Sequence, residues 1–64
     1  MYKVEIQYLK KEIVCSKVLV FNNIHKLNEY VKNMLDAYCC TVRITEYDKQ
    51  GNVISIRCED NLPF

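Results

Sequence analysis

Four cysteines and one histidine are the residues of this chain best suited to bind a metal or to act as a nucleophile. Zinc ligands usually occur in pairs spaced two to four residues apart, whereas Cys39 and Cys40 are adjacent and would point to opposite faces of a strand. Cys40 and Cys58 are expected to fill the core as small hydrophobic residues. Cys39 and Cys40 also follow a predicted helix whose C-terminal dipole disfavours a thiolate, while His25 lies at its other end. We expect four reduced thiols, including Cys15, with no metal and no cofactor.

The other groups of catalytic interest are dispersed. The carboxylates fall on predicted strand exteriors, turns or the chain end, and none shows a sequence context that would desolvate it. Gly51 is the only glycine, so a phosphate-binding glycine loop is excluded. We therefore predict no catalytic residue and a protein that is not an enzyme.

Hydrophobic periodicity predicts the elements that position these residues. Alternation over Tyr2 to Leu9 and β-branched residues over Ile13 to Phe21 predict two strands, and a period change at Ile24 predicts an amphipathic helix of about four turns with an asparagine N-cap. Two more alternating segments, beginning at Cys40 and at Val53, predict a second hairpin. The fold class is α+β: a two-layer ββαββ sandwich with one helix on a four-stranded, mostly antiparallel sheet. We expect residues 1–64 to form one domain, with 59–64 as an acidic and apolar tail.

The second hairpin has a turn that predicts its register. Pairing Asp48 with Asn52 leaves a three-residue loop ending in Gly51, which suits a left-handed glycine. Extended along the strands, this register sets Arg43 directly opposite Arg57. Like charges in that position repel one another unless an anion lies between them. The predicted compensating group is either an intramolecular carboxylate, such as Glu5 or Glu59, or an external anion or acidic partner. The external alternative adds Tyr47 and Lys17 to the contact residues.

The first hairpin allows two registers in the sequence. A two-residue Lys10-Lys11 loop pairs Ile6 with Cys15, whereas a three-residue loop pairs Val4 with Val18, and we favour the second. It turns an apolar row away from the helix, and such a row usually marks an interface. The predicted partner-binding residues are Leu9, Ile13, Cys15, Leu19 and Phe21. A register wrong by one residue would send this row inward and expose Val14, Val18 and Val20 instead. With apolar residues on both faces, the second strand is predicted to be internal in the sheet.

The composition of the chain narrows the classes of function that remain. The formal net charge is +1, which is far from the strongly basic balance of many nucleic-acid binders. No apolar stretch is long enough to span a bilayer and the N-terminal residues do not resemble a signal peptide, so we expect a cytoplasmic protein without a membrane partner. The abundance of Lys, Asn, Ile and Tyr suggests an AT-rich genome, such as that of a low-GC bacterium, its phages or its mobile elements.

These observations lead to two hypotheses of different classes. The first is a small protein-binding module, expected to be a homodimer, or a phage or mobile-element accessory protein that acts on a host protein. The second is a nucleic-acid-binding protein that uses the face of the hairpin carrying Arg43 and Arg57. The two hypotheses predict different responses to salt, because only phosphate contacts release counterions.

Overall fold

The computed structural model describes residues 1–61, in which two strands, one helix and two further strands follow one another. The elements are β1 (Tyr2–Lys10), β2 (Ile13–Phe21), α1 (Ile24–Ala37), β3 (Cys40–Tyr47) and β4 (Val53–Asp60). The four strands form one sheet in the order β2-β1-β3-β4, and each neighbouring pair is antiparallel. With α1 packed on one face of the sheet, the predicted two-layer α+β architecture is confirmed. Within the described part of the chain, no helix is long and apolar enough to cross a membrane.

The core lies between α1 and the two central strands. Alternate residues of β1 and β3 point toward the helix, as predicted, because residues two apart on a strand share a face. The most deeply buried residues are Val4, Ile6, Leu27, Val31, Met34, Cys40, Val42 and Ile44. Aromatic residues close the margin of this core, since the rings of Phe21 and Tyr30 lie 5.5 Å apart and those of Tyr8 and Tyr38 lie 5.1 Å apart. The sheet therefore has a helix face and an opposite face, here called the open face.

Side chains outside the helix form hydrogen bonds with backbone groups at both of its ends. At the N-terminus, Asn23 Oδ1 accepts hydrogen bonds from the backbone N–H groups of His25 (2.8 Å) and Lys26 (3.3 Å), which confirms the predicted asparagine cap. At the C-terminus, the side chain of Asn61 donates to the carbonyls of Leu35 and Tyr38. These bonds join the end of the helix to the segment that follows β4.

The first hairpin adopts neither of the registers considered from sequence. Lys10 pairs with Ile13 across a two-residue turn at Lys11 and Glu12, whose φ angles of 52° and 66° are those of a type I′ turn. Such turns favour asparagine and glycine, so a Lys-Glu pair gives little indication of one. The resulting register places Leu19 opposite Val4, and so directs the larger apolar residues of β2 to the helix face.

Two further predictions about the strands are wrong. β2 is an edge strand rather than an internal one, because β1 separates it from β3. The predicted tail begins too early, since Glu59 and Asp60 belong to β4. The apolar end of the predicted tail, Leu62 to Phe64, lies outside the described residues.

The second hairpin has the predicted turn but a different pairing beyond it. Asp48 pairs with Asn52 through a 2.9 Å backbone hydrogen bond, and Gly51 has a φ of +87°, so both predictions about the turn are confirmed. A β-bulge then follows, because Tyr47 pairs with Val53 while Glu46 pairs with Ser55. The extra residue shifts the rest of β4 by one position and exchanges its two faces.

Candidate functional site

The residues predicted to form a partner surface on β2 are divided between the two faces of the sheet. The register turns Ile13, Cys15, Leu19 and Phe21 toward the helix face, whereas Leu9 pairs with Val14 and lies on the open face. The prediction of one apolar row facing away from the helix is therefore wrong. Its stated alternative, with the row turned inward and the valines outward, describes the residues of β2 but not Leu9.

The open face of β2 carries a valine row formed by Val14, Val18 and Val20. Their exposed fractions are 69%, 61% and 59%, respectively, although β-branched residues of this size are usually buried. Ser16 lies between them on the same face. This row adjoins the free side of the sheet, since β2 has a neighbour only in β1 among the described residues.

The backbone of β2 exposes unpaired hydrogen-bonding groups along the same residues. Leu9 N–H donates to the carbonyl of Cys39, which precedes β3, at 3.0 Å, so the odd-numbered residues of β1 direct their N–H groups away from β2. Even-numbered residues of β1 therefore bond to their partners on β2, which are Ile13, Cys15, Lys17, Leu19 and Phe21. The N–H and C=O groups of Val14, Ser16, Val18 and Val20 then point outward from the sheet, and these groups are here called the β2 edge.

The centre of the open face is polar and carries charges of both signs. Lys3 Nζ lies 4.0 Å from Glu5 Oε1, and Glu5 is the direct cross-strand partner of Arg43. A shallow concavity of about 340 Å³ lies here, and its lining includes Glu5, Arg43, Val18 and Cys58. One carboxylate therefore lies near two cations on this surface, and it contacts Lys3.

The bulge separates the two arginines that were predicted to face each other. Arg43 pairs with Cys58, and Arg57 pairs with Ile44 on the helix face, so the predicted Arg43–Arg57 juxtaposition is wrong. Arg57 Nε lies 3.4 Å from Glu59 Oε1, and its Nη2 donates to Asn28 Oδ1 on α1 at 3.5 Å. Arg57 thus has the intramolecular acidic partner that the sequence offered as one alternative.

The other two predicted anion contacts lie elsewhere. Lys17 is on the helix face, where its Nζ is 5.7 Å from the centre of the Tyr8 ring, within the range of a cation–π contact. Tyr47 lies at the far end of β3, and its N–H donates to the Met1 carbonyl at 2.9 Å. The four residues of the predicted anion site are therefore not brought together.

The face exchange in β4 leaves a second set of apolar side chains exposed. Ile56 lies on the open face with 54% of its surface exposed, and Val53 and Ile54 at the bulge are similarly exposed. Cys58 lies on the same face and is exposed, so the prediction that it fills the core is wrong, whereas Cys40 is buried as predicted. The helix face of β4 instead carries Arg57 and Glu59.

All four cysteines carry free thiols and lie in different environments. Cys40 is buried, and burial raises the pKa of its thiol above the ordinary value, with the neighbouring Cys39 adding to the effect. Residues 1–61 contain no group of three or more His, Cys, Asp or Glu side chains arranged to hold a metal ion. Whether the protein is free of metal stays a prediction for elemental analysis.

Two features of the structure were missed in the sequence. The β2 edge depends on strand order, which the sequence left open. The β-branched composition of Ile13–Phe21 is compatible with an edge strand as well as with an internal one. The contacts of Asn61 had no sequence signal, because they join residues more than twenty positions apart.

Comparison of the chain with protein-family models, with curated proteins and with solved structures finds no significant match.

Proposed function

We propose that the chain is a non-catalytic protein-binding module whose binding element is β2. The observation that carries the proposal is that β2 combines backbone groups that have no partner within residues 1–61 with the exposed valine row of Val14, Val18 and Val20. An added strand gains affinity from main-chain hydrogen bonds and specificity from alternate side chains. β2 offers both along the same residues.

The weak protection of β2 supports the proposal. Proteins usually protect an edge strand with a proline, a bulge, a short length or charged side chains. β2 is nine residues long, contains no proline, pairs with β1 without a register shift and has Lys17 as its one charged residue. β4, the other edge, has the bulge at Val53 and Ile54 and ends in Glu59 and Asp60. Of the two edges, β2 is therefore the better template for another strand.

The chemistry of β2 defines the kind of segment it would bind. An added strand would place every second side chain beside the valine row, so apolar and β-branched residues at alternate positions fit best. The centre of the open face carries charges of both signs, on Lys3, Glu5 and Arg43, and their small sum favours a segment without a large net charge. We extend the proposal to a cytoplasmic protein of bacterial, phage or mobile-element origin on the grounds of composition alone.

A nucleic-acid function is not proposed. That hypothesis depended on Arg43 and Arg57 standing side by side, whereas Arg57 contacts Glu59 on the helix face and Arg43 lies on the open face, with Glu5 as its cross-strand neighbour.

Selection of extended peptides tests the proposal without knowledge of the natural partner. A library of random peptides displayed on phage would be selected on protein immobilised at low density, so that two copies do not meet. We expect enriched peptides with alternating apolar residues, and amide chemical-shift changes centred on Val14, Ser16 and Val18 when such a peptide is added.

A pair of matched variants supplies the control. Val18→Lys should weaken peptide binding by about ten-fold or more, because it places a charge beside the added strand. Val53→Lys introduces the same change at an exposed valine of the other edge strand and should leave binding unchanged. Failure to enrich any peptide, or shift changes centred on another surface, would overturn the proposal.

A further inference from the structure

We infer that the segment that binds to β2 is the β2 strand of a second copy of this chain, paired antiparallel about a two-fold axis at Ser16. This inference rests on the proposed function and names the partner for the same site. β2 itself has the alternating β-branched residues and the low net charge that this site favours, with Lys17 as its one charged residue. The register follows from symmetry, from the positions of the outward backbone groups and from the charge of Lys17.

Symmetry limits the available registers to a small number. Residues directly opposite in an antiparallel pair point to the same face, so in a symmetric dimer an even-numbered residue must pair with an even-numbered one. The outward groups belong to Val14, Ser16, Val18 and Val20, and these residues must form the hydrogen-bonded pairs. Three registers pair most of these residues with one another across the dimer. Their two-fold axes lie at Ser16, at Lys17 or at Val18.

The charge of Lys17 excludes the register with the longest overlap. An axis at Lys17 would set the two copies of this lysine directly opposite each other in a non-hydrogen-bonded pair, where side chains are closest. An axis at Ser16 instead sets each Lys17 opposite Cys15 of the second copy.

Apolar exposure decides between the two remaining registers. With the axis at Ser16, Val14 pairs with Val18 of the second copy on the open face, and Ile13 pairs with Leu19 on the helix face. Ile13 and Val14 are 65% and 69% exposed in the single chain, so this register covers two very exposed side chains of β2. With the axis at Val18, Val14 would meet Asn22 beyond the end of the strand. The Ser16 register therefore buries more apolar surface.

The resulting dimer is closed, because the β2 edges of both copies are used in the pairing. Three hydrogen-bonded pairs (Val14–Val18, Ser16–Ser16 and Val18–Val14) supply about six backbone hydrogen bonds. The four-stranded sheets of the two copies become continuous, and the outer edges are then the two β4 strands with their bulges. Since strand pairing without face-to-face packing gives a small interface, we expect a dissociation constant in the micromolar range.

Isotope-filtered nuclear Overhauser spectroscopy tests the pairing on the unmodified protein. A mixed sample of labelled and unlabelled chains, kept in reducing buffer, reports only contacts between copies. The Ser16 register places Cys15 and Lys17 of different copies in a non-hydrogen-bonded pair, in which the two Hα atoms nearly touch. We expect an intermolecular Hα–Hα signal between these two residues.

Each other result counts against the inference. A signal between the two Lys17 residues, or between Lys17 and Leu19, would contradict the register. A dimer without intermolecular Hα signals from β2, or a monomer throughout the micromolar range by sedimentation velocity, would contradict the identity of the partner. Either outcome leaves the protein-binding proposal to be decided by peptide selection, so the two failures are distinguishable.

Matched variants give a second readout by sedimentation. Val14→Lys should raise the dissociation constant of the dimer by about ten-fold or more, since the two-fold axis introduces the charge twice. Val53→Lys should leave the dissociation constant unchanged. Equal effects of the two substitutions would contradict pairing through β2.

Discussion

Replacing Asn61 should reveal how the end of α1 is held to the sheet. Asn61 Nδ2 donates to the carbonyl of Tyr38 at 2.8 Å and to that of Leu35, and Asn61 Oδ1 accepts from Cys40 N–H at 2.9 Å. The helix ends at Ala37, so two of these bonds satisfy carbonyls near its C-terminus that have few other partners. The third bond satisfies the first residue of β3.

The expected cost follows from the exposure of each group. A net hydrogen bond contributes about 1 kcal/mol, but carbonyls freed at an exposed helix end can bond to water. Cys40 is buried, so loss of the partner of its N–H carries a larger penalty. We therefore expect Asn61→Ala to lower the free energy of unfolding by about 2 kcal/mol, which corresponds to a decrease in Tm of about 8–16 °C for a domain of this size.

Urea denaturation followed by circular dichroism measures this change. Asn61→Asp should also lower the free energy of unfolding, because a carboxylate cannot donate to the two carbonyls and places a negative charge at the helix C-terminus, although one of its oxygens can still accept from Cys40 N–H. Asn33→Ala, on the exposed side of α1, is the control and should change stability by less than about 0.5 kcal/mol. An alanine variant at position 61 as stable as this control would refute the reasoning.

The two hairpin turns give three further predictions. Gly51→Ala should destabilise the fold by about 1 kcal/mol, measured by urea denaturation, because its φ of +87° disfavours a Cβ atom, and an unchanged midpoint would contradict this. Lys11→Asn combined with Glu12→Gly should stabilise the fold by about 1 kcal/mol in the same assay, since both positions have positive φ, and a loss of stability would show that the turn is not of type I′. The backbone N–H of Asn52, with further hydrogen bonds in the turn, holds the pKa of Asp48 below its ordinary value. The ionised Asp48 carboxylate therefore contributes to stability at pH values above the ordinary aspartate pKa. This contribution is lost as the pH falls through the lowered pKa of Asp48. The Asn52 amide chemical shift should follow that titration, and a titration at the ordinary pKa would contradict it.

The central part of the fold could be predicted because its pattern and its packing agree. Val4, Ile6, Val42 and Ile44 alternate with polar residues, and the helix presents a single apolar stripe, so burial of these residues selects one arrangement. The turn at Gly51 was also predictable, because a three-residue hairpin loop that ends in glycine usually places that glycine in the left-handed conformation.

The peripheral strands could not be predicted because their patterns allow two arrangements. β2 is apolar on both faces, so its pattern is satisfied in either register, and a Lys11-Glu12 turn carries no signal for its type. In β4, Ile56 and Arg57 alternate as in any half-buried strand, and the bulge alone decides which of them faces α1. The candidate binding surface lies on these two strands, so its predicted residues were largely misplaced.

Amide hydrogen exchange along β2 tests the central claim, that the β2 edge is the binding element and accepts a second copy. We predict that the N–H groups of Val14, Ser16 and Val18 exchange rapidly at low protein concentration and become protected as the concentration rises through the micromolar range. The outward N–H groups of β4 should show no such change, because the bulge disturbs the regular backbone geometry that an added strand would need. Exchange at Val14, Ser16 and Val18 that does not depend on concentration, or protection that develops on β4 instead, would contradict the account.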